Sequence, residues 1–274
     1  MKRILVPTDF SVCANHAVEM AMLLAGQNNS ALYFLHLTVS GSDVSHVPGK
    51  SVAQKSDEVI SAEIGLKELV SEAERRGLRA HQELVVGNGG ERIEDYIKPL
   101  DIDFLVMGSH GSSGIRELVL GSKTQHVIRN IRIPSLVVKQ KPKADKIDSI
   151  VFASTFKRDT SFALKVVAGL SRRWGSKLNL LFLNLFNHLI AEEIAHKMMR
   201  DQMKAYSDVP HTFNVTETND KEFGIAQFAS QIKADLISVP LEPKSAIRRF
   251  FNPSLAEQLI NHSKLPVLVV PASK

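Results

Sequence analysis

Sulfur and large aromatics are scarce in this 274-residue chain, which has one cysteine, one tryptophan and three tyrosines. A lone Cys13 cannot build a disulfide framework, and this fits a reducing compartment. No apolar run approaches the ~18 residues of a membrane-spanning helix. The opening stretch MKRILVPTDF has an apolar segment too short for a signal peptide, interrupted by Pro7 and Asp9. These absences lead to the expectation of a cytoplasmic protein with no membrane span. No tract of Lys and Arg stands out either. The net charge of +5 and the pI near 9.2 come from scattered residues, so nucleic acid is not expected as a partner, while an anionic ligand is compatible. The chain also lacks GxxxxGK[ST] and GxGxxG, which excludes the Walker loop and the dinucleotide fingerprint.

What the chain does contain is a repeat. Residues 101–138 and 233–270 align at a constant offset of 132, with ten of 38 positions identical. Among them are Asp103/Asp235, Ile115/Ile247, Arg116/Arg248, Ser122/Ser254 and Pro134/Pro266. RILVPTDF (3–10) aligns with SIVFASTF (149–156) at offset 146, so the first half carries about 14 extra residues. The stretch 39–54, rich in Gly, Ser and Pro, reads as that insertion. KQKPKADK (139–146) reads as the linker between domains 1–140 and 147–274.

Each half alternates strand and helix. Strands are predicted at 3–8, 31–37, 78–86, 103–107 and 135–139, with helices at 11–27, 52–76, 91–98 and 122–130. The second half repeats this with strands near 149–154, 177–183, 211–216, 235–239 and 266–270, and helices near 160–174, 187–206, 221–232 and 254–262. Alternation of this kind implies an α/β fold: two doubly wound domains, each with a parallel sheet covered on both faces. Ligands of such sheets bind beyond the carboxyl ends of the strands.

Two strand ends of the first half are polar or flexible. Strand 1 ends in Pro7-Thr8-Asp9 and strand 4 in Met107-Gly108, followed by Gly111 and Gly121. Glycine lets a backbone approach a ligand closely and turn at positive φ. Gly121-Ser122 opens a helix whose N-terminal amides favour phosphate. Ser122 and Thr124 offer hydroxyls, Lys123 a charge, and Asp9 a carboxylate for an adenine amino group, a ribose or Mg²⁺. The same residues have structural explanations: Ser122 is a good N-cap and Asp9 could cap the first helix.

Gly108-x2-Gly111-x9-Gly121-Ser122, with ILVPTDFS (4–11), LYFLHL (32–37) and IPSLVV (133–138), resembles the nucleotide-binding branch of the universal stress protein family across residues 1–140. The resemblance implies a five-stranded parallel sheet of the adenine nucleotide α-hydrolase type and a pocket for ATP, with or without Mg²⁺. By position, Pro7, Thr8 and Asp9 would border the adenosine and the Leu37 backbone would meet adenine. Met107, Gly108 and Gly111 would border ribose and phosphates, and Gly121, Ser122, Lys123 and Thr124 would hold the triphosphate. Ser112 departs from the family, many of whose members carry a basic residue there. That leaves Lys123 or Arg116 to supply the charge.

The second half resembles the same family in architecture, but Gly108, Gly111 and Gly121 align with Pro240, Pro243 and Pro253, and Asp9 with Thr155. Proline has no N–H and cannot take positive φ. A structural or partner-binding repeat is therefore expected there. In the family such domains pair through their last strands, which a tandem chain could do internally as a pseudo-dimer, with a homodimer of chains also open.

Other clusters are weaker. His188, Glu192 and His196 share a helical stripe that could hold a metal, although a solvated face accounts for them. Met198, Met199 and Met203 suit a core. IRRFF (247–251) could form a contact surface. Cys13 reads as a small buried hydrophobe, and His110 is the histidine nearest the expected phosphates. No catalytic residue is assigned. The expectation is an ATP-binding regulatory module, at most a weak ATPase. The alternatives are an adenylating or ATP-hydrolysing enzyme of the same architecture and a scaffold that binds no nucleotide.

Overall fold

The computed structural model describes residues 1–39, 52–110, 121–142, 146–241 and 254–271. The first half holds β1 (Arg3–Pro7), α1 (Val12–Asn28), β2 (Ala31–Val39), α2 (Val52–Arg75), β3 (Arg79–Gly87), β4 (Phe104–Gly108), α3 (Ser122–Asn130) and β5 (Ser135–Val138). The second holds β6 (Ser149–Ser154), α4 (Ser161–Trp174), β7 (Lys177–Leu185), α5 (Glu192–Met203), β8 (His211–Thr218), α6 (Lys221–Gln231), β9 (Leu236–Leu241), α7 (Leu255–His262) and β10 (Val267–Pro271).

The strands form one ten-stranded sheet in the order β3-β2-β1-β4-β5-β10-β9-β6-β7-β8. Pairing is parallel within each half. It is antiparallel only at the seam, where Leu136 of β5 faces Leu268 of β10. The α/β architecture and the pairing through last strands thus follow the sequence reading. Period-two alternation divides the strand side chains between two cores. Ile4, Phe34, Val106 and Phe152 face the layer containing α1, α2, α4 and α5. Leu5, Leu105, Val151 and Val267 face α3, α6 and α7. Both cores run across the seam, so the two halves share their interior.

Polar contacts close the seam as well. Arg129 of α3 lies 2.8 Å from Glu257 of α7, whose side chain is 3% exposed. Arg173 of α4 donates to the Asn28 carbonyl at the end of α1, at 3.2 Å. The Lys139 ammonium reaches the Asn261 carbonyl in the last turn of α7, where a cation complements the helix dipole.

Two expected helices are shorter than their sequences suggest. Residues 91–98 form only a 3-10 turn, Ile93–Tyr96. Glu91 folds back to accept the amides of Asn88 and Gly89, at 2.9 Å each, and Pro99 disfavours helical geometry at Lys98. Of residues 187–206, only Glu192–Met203 are α-helical. Asn184 pins Ile190 by hydrogen bonds to both its amide and its carbonyl, holding that segment out of the helix. Residues 40–51, the bulk of the expected insertion, and the IRRFF segment lie outside the described residues.

Candidate functional site

β1 ends in a tight turn. Thr8 donates its amide to the Leu35 carbonyl at 2.9 Å, fixing the strand end beside β2. Its hydroxyl accepts from Phe10 N–H at 3.0 Å, and this supports Phe10 at φ 60, a left-handed conformation that costs a non-glycine residue roughly 1–2 kcal/mol. Asp9 Oδ1 accepts from Ser11 N–H at 3.1 Å. Ser11, not Asp9, is the N-cap of α1, accepting from Ala14 N–H. The second half keeps this turn, with Ser154 accepting from Phe156 N–H at 3.1 Å and Phe156 at φ 51. It does not keep the carboxylate, because Thr155 replaces Asp9.

Across from this turn, β4 ends in Gly108. A Cβ there would lie 3.1 Å from the backbone and sulfur of Cys13, so glycine lets α1 close on β4. Gly121 is the N-cap of α3 at φ −60, and a Cβ on it would come within 3.2 Å of His110 Cα. Neither glycine has positive φ. The sequence reading is corrected on that point: close approach is the reason for both. It is also corrected for Ser122, which is the first helical residue rather than the cap. Thr124 is buried, and its hydroxyl donates to the Gly108 carbonyl at 3.0 Å. It therefore ties α3 to β4, and its proton is committed to the protein.

These elements enclose a cleft of about 210 Å³ at the carboxyl ends of β1 and β4. Pro7, Thr8 and Asp9 form one lip and Met107 and Gly108 the other, with Leu37 at the β2 end. Gly121, Ser122, Lys123 and Thr124 complete the wall at the start of α3. Ten of the eleven residues singled out from sequence thus line one cavity. The eleventh, Gly111, lies outside the described residues, as do Ser112 and Arg116. No side-chain cap bonds the α3 N-terminus from Gly121. At α7, its counterpart, Ser254 accepts from Glu257 N–H while Glu257 accepts from Ser254 N–H, a complete capping box.

The corresponding cavity in the second half is about 40 Å³. Its lining shows why: Pro240 stands for Gly108, Leu255 for Lys123 and Ala256 for Thr124. Deeper in, Phe182 takes the place of His36 and is fully buried, stacked 6.1 Å from Phe156. In the first half His36 stacks 4.9 Å from Phe10. Its Nδ1 lies 2.8 Å from the Thr8 carbonyl, and a carbonyl can only accept, so Nδ1 carries the proton.

The family model of the universal stress proteins matches residues 1–139 and again 148–271. The chain belongs to the universal stress protein family. A relative in Methanocaldococcus jannaschii, universal stress protein MJ0531, is 30% identical over 146 residues, covering 53% of this chain and 85% of the relative. Universal stress protein Slr1230 of Synechocystis is 34% identical over 121 residues, covering 44% of this chain and 38% of that one. In the solved structure of a universal stress protein from Archaeoglobus fulgidus, the match spans 98% of this chain and 96% of the other at a TM-score of 0.77 and 18% identity. The whole two-part fold is therefore shared.

Sequence reasoning missed residues that line the cleft of this universal stress protein, notably His36 and Ile93, whereas His110, expected near the phosphates, does line it. His36 was legible in principle, since the offset of 146 sets it against Phe182. Ile93 was not, because its position depends on the unexpected 3-10 turn. Cys13 is buried, as expected. Met199 and Met203 are core residues. Glu192 and His196 lie 3.7 Å apart, and among the described residues no group of three His, Cys, Asp or Glu side chains is placed to hold a metal. No described helix is long and apolar enough to cross a membrane.

Proposed function

We propose that this universal stress protein is an ATP-binding regulatory module in which residues 1–140 take the nucleotide and residues 147–274 serve as a structural or partner-binding repeat. The observation that carries the reading is the asymmetry of the two cavities, about 210 Å³ against about 40 Å³. The larger one keeps Asp9, Lys123 and an α3 N-terminus without a side-chain cap, and the smaller one has lost all three.

The cleft's donor set fits an adenine nucleotide. Leu37, Ile93 and Met107 offer an apolar floor for a base. Asp9 is a carboxylate acceptor at the lip. The first turn of α3, with Ser122 and Lys123 exposed beside it, offers amides, a hydroxyl and a cation for phosphate. Bound ATP supplies charge and two separate anchor points, one at the base and one at the phosphates. The chain's own residues bind and orient it. Occupancy would then act by stabilising one conformation or assembly over another. Mg²⁺, if it accompanies the nucleotide, would meet Asp9 as the carboxylate among the described lining residues.

Isothermal titration of the full chain with ATP tests this. One site per chain is expected, together with a rise in melting temperature that grows with ligand excess. Two sites would overturn the assignment of nucleotide to residues 1–140 alone, and no heat and no thermal shift at millimolar ATP would leave the scaffold reading in its place. Gly111→Pro, which imports the aligned Pro243 of the second half, should abolish binding.

A further inference from the structure

A second chamber, of about 340 Å³, lies beside the cleft and shares Leu37, Ile93, Ser122 and Lys123 with it. The two therefore adjoin along the first turn of α3, where the phosphates of the proposed nucleotide would rest. Val39 and Val127 add apolar wall, and Val39 is left 40% exposed. The chamber's exposed wall is more apolar than polar, with Thr38, Glu91, Arg92, Glu94, Lys123 and His126 set into it, a surrounding that suits a ring bearing polar groups.

Its polar groups are specific. Glu94 comes from the 3-10 turn, and His126 lies one turn along α3 from Ser122. Both Glu94 carboxylate oxygens are shut off from solvent, yet neither has a hydrogen-bond partner among the described residues. His126 Nε2 lies 3.4 Å from Oε1, close enough for an ion pair when the imidazole is protonated but not a hydrogen bond, and Oε2 has no such neighbour. Neighbouring Glu91 differs, being satisfied by two amides. A buried acceptor without a donor is costly, and such groups are rare in folded proteins.

The repeat shows that the fold does not need this pair. At the corresponding places the second half has Gln258 for His126 and Ile225 or Ala226 for Glu94. The pair is confined to the half that has the open cleft.

We infer that the chamber binds a hydroxyl-bearing group joined through phosphate to the nucleotide in the cleft, a sugar or a second nucleoside, whose vicinal diol donates to Glu94. The inference rests on the adenine-nucleotide reading of the cleft. A phosphate at Ser122 and Lys123 lies on the boundary between the two cavities, and whatever is esterified beyond it runs past Lys123 toward His126 and Glu94. A carboxylate is the common acceptor for a ribose diol.

Titration of the full chain with ADP, ADP-ribose and diadenosine tetraphosphate tests the assignment. ADP-ribose is ADP with a ribose esterified to its terminal phosphate, so it adds the diol and gives up one ionisable phosphate oxygen. It should bind about tenfold tighter or more, the usual strength of hydrogen bonds to a charged group. Glu94→Gln should cancel that gain with little change for ADP. Val39→Trp, at an exposed rim position, should do the same by filling the chamber. A gain for the dinucleotide as well shows that a second nucleoside is admitted, and a gain confined to ADP-ribose limits the chamber to a sugar. Equal affinities for all three in the unaltered chain, or a gain that survives Glu94→Gln, overturns the inference while leaving the nucleotide cleft intact. Failure of all three ligands to bind overturns the inference, and failure of ATP as well overturns both readings. Binding of ADP-ribose without ADP would keep the chamber and correct the cleft.

Discussion

Lys123 and Leu255 occupy the same point of the repeated fold, one exposed beside an open helix terminus and the other lining a cavity too small for a nucleotide. The aspartates kept in both halves prove structural. Asp103 accepts from Lys2 N–H and Asp235 from Ser149 N–H, each fixing the start of a central strand. The functional candidates are the residues that differ. Lys123→Leu therefore imports the closed half's residue at an exposed position. It should weaken ATP roughly tenfold or more, by loss of a charge-assisted contact, and leave stability within about 0.5 kcal/mol. Calorimetric titration at two salt concentrations reads both the loss and a flatter salt dependence. Unchanged affinity would remove Lys123 from the site.

Glu257 makes the opposite case, a charged residue whose work is structural. Burial disfavours its ionised form, but hydrogen bonds from Ser254, Gln125 and Arg129 more than offset this and hold its carboxyl below the usual glutamate range. A depressed folded value contributes stability in full above the unfolded value of about 4.3, and that contribution fades as pH falls through the lower folded value. Glu257→Gln should cost about 1.5–3 kcal/mol at pH 7. Denaturant titrations at descending pH should show the two proteins converging below about pH 4. A constant difference down to pH 3 would mean that the charge is not what Glu257 contributes.

Helix termini carry the contrast at the scale of elements. α7 is closed by Ser254 and Glu257, whereas α3 starts at Gly121 with no side-chain cap. Ser254→Ala should destabilise the protein by about 1 kcal/mol, measured by urea unfolding. Ser122→Ala, at the aligned position, should cost much less and show its effect in nucleotide affinity instead. Equal losses of stability would mean that both serines cap. This element was only half legible. Ser122 and Ser254 are identical in sequence, yet the first is the opening helical residue and the second the cap. The strands were legible because their apolar runs are long, and α3 because amphipathic spacing follows a glycine. The segments 91–98 and 187–206 were not, because side-chain bonds from Glu91 and Asn184 to nearby backbone, which no helical periodicity records, hold part of each segment out of the helix. The cleft was legible at the glycines and Pro7-Thr8-Asp9. It was illegible at Ile93, which reaches it through the 3-10 turn, while His36 could be read only by setting it against Phe182 of the repeat. Sequence also assigned Thr124 a ligand role, whereas its hydroxyl bonds Gly108.

The seam governs the whole molecule. Every residue of β5 and of β10 is buried, and the antiparallel pair Leu136–Leu268 sits at the centre of a continuous ten-stranded sheet. A seam of this kind is isologous in form: the edge that β5 presents to β10 is one that a second β5 could fill. MJ0531, of which 85% is covered by about half of this chain, shows that one half matches most of a complete relative. Residues 1–142 expressed alone would expose β5 and the apolar faces of Leu136 and Val138, an unprotected edge that invites pairing. They should therefore form a two-fold dimer through β5, visible as twice the monomer mass in sedimentation equilibrium. Leu136→Lys in the same fragment should return it to monomer, since a buried cation at the centre of the new pair has no partner. The second half supplies the first with a permanent, non-exchanging partner for this edge. A fragment that stays monomeric and folded without β10 would show that the second half is not needed to protect it, and the reason for joining two copies in one chain would have to lie in the surface that residues 147–274 offer to other molecules.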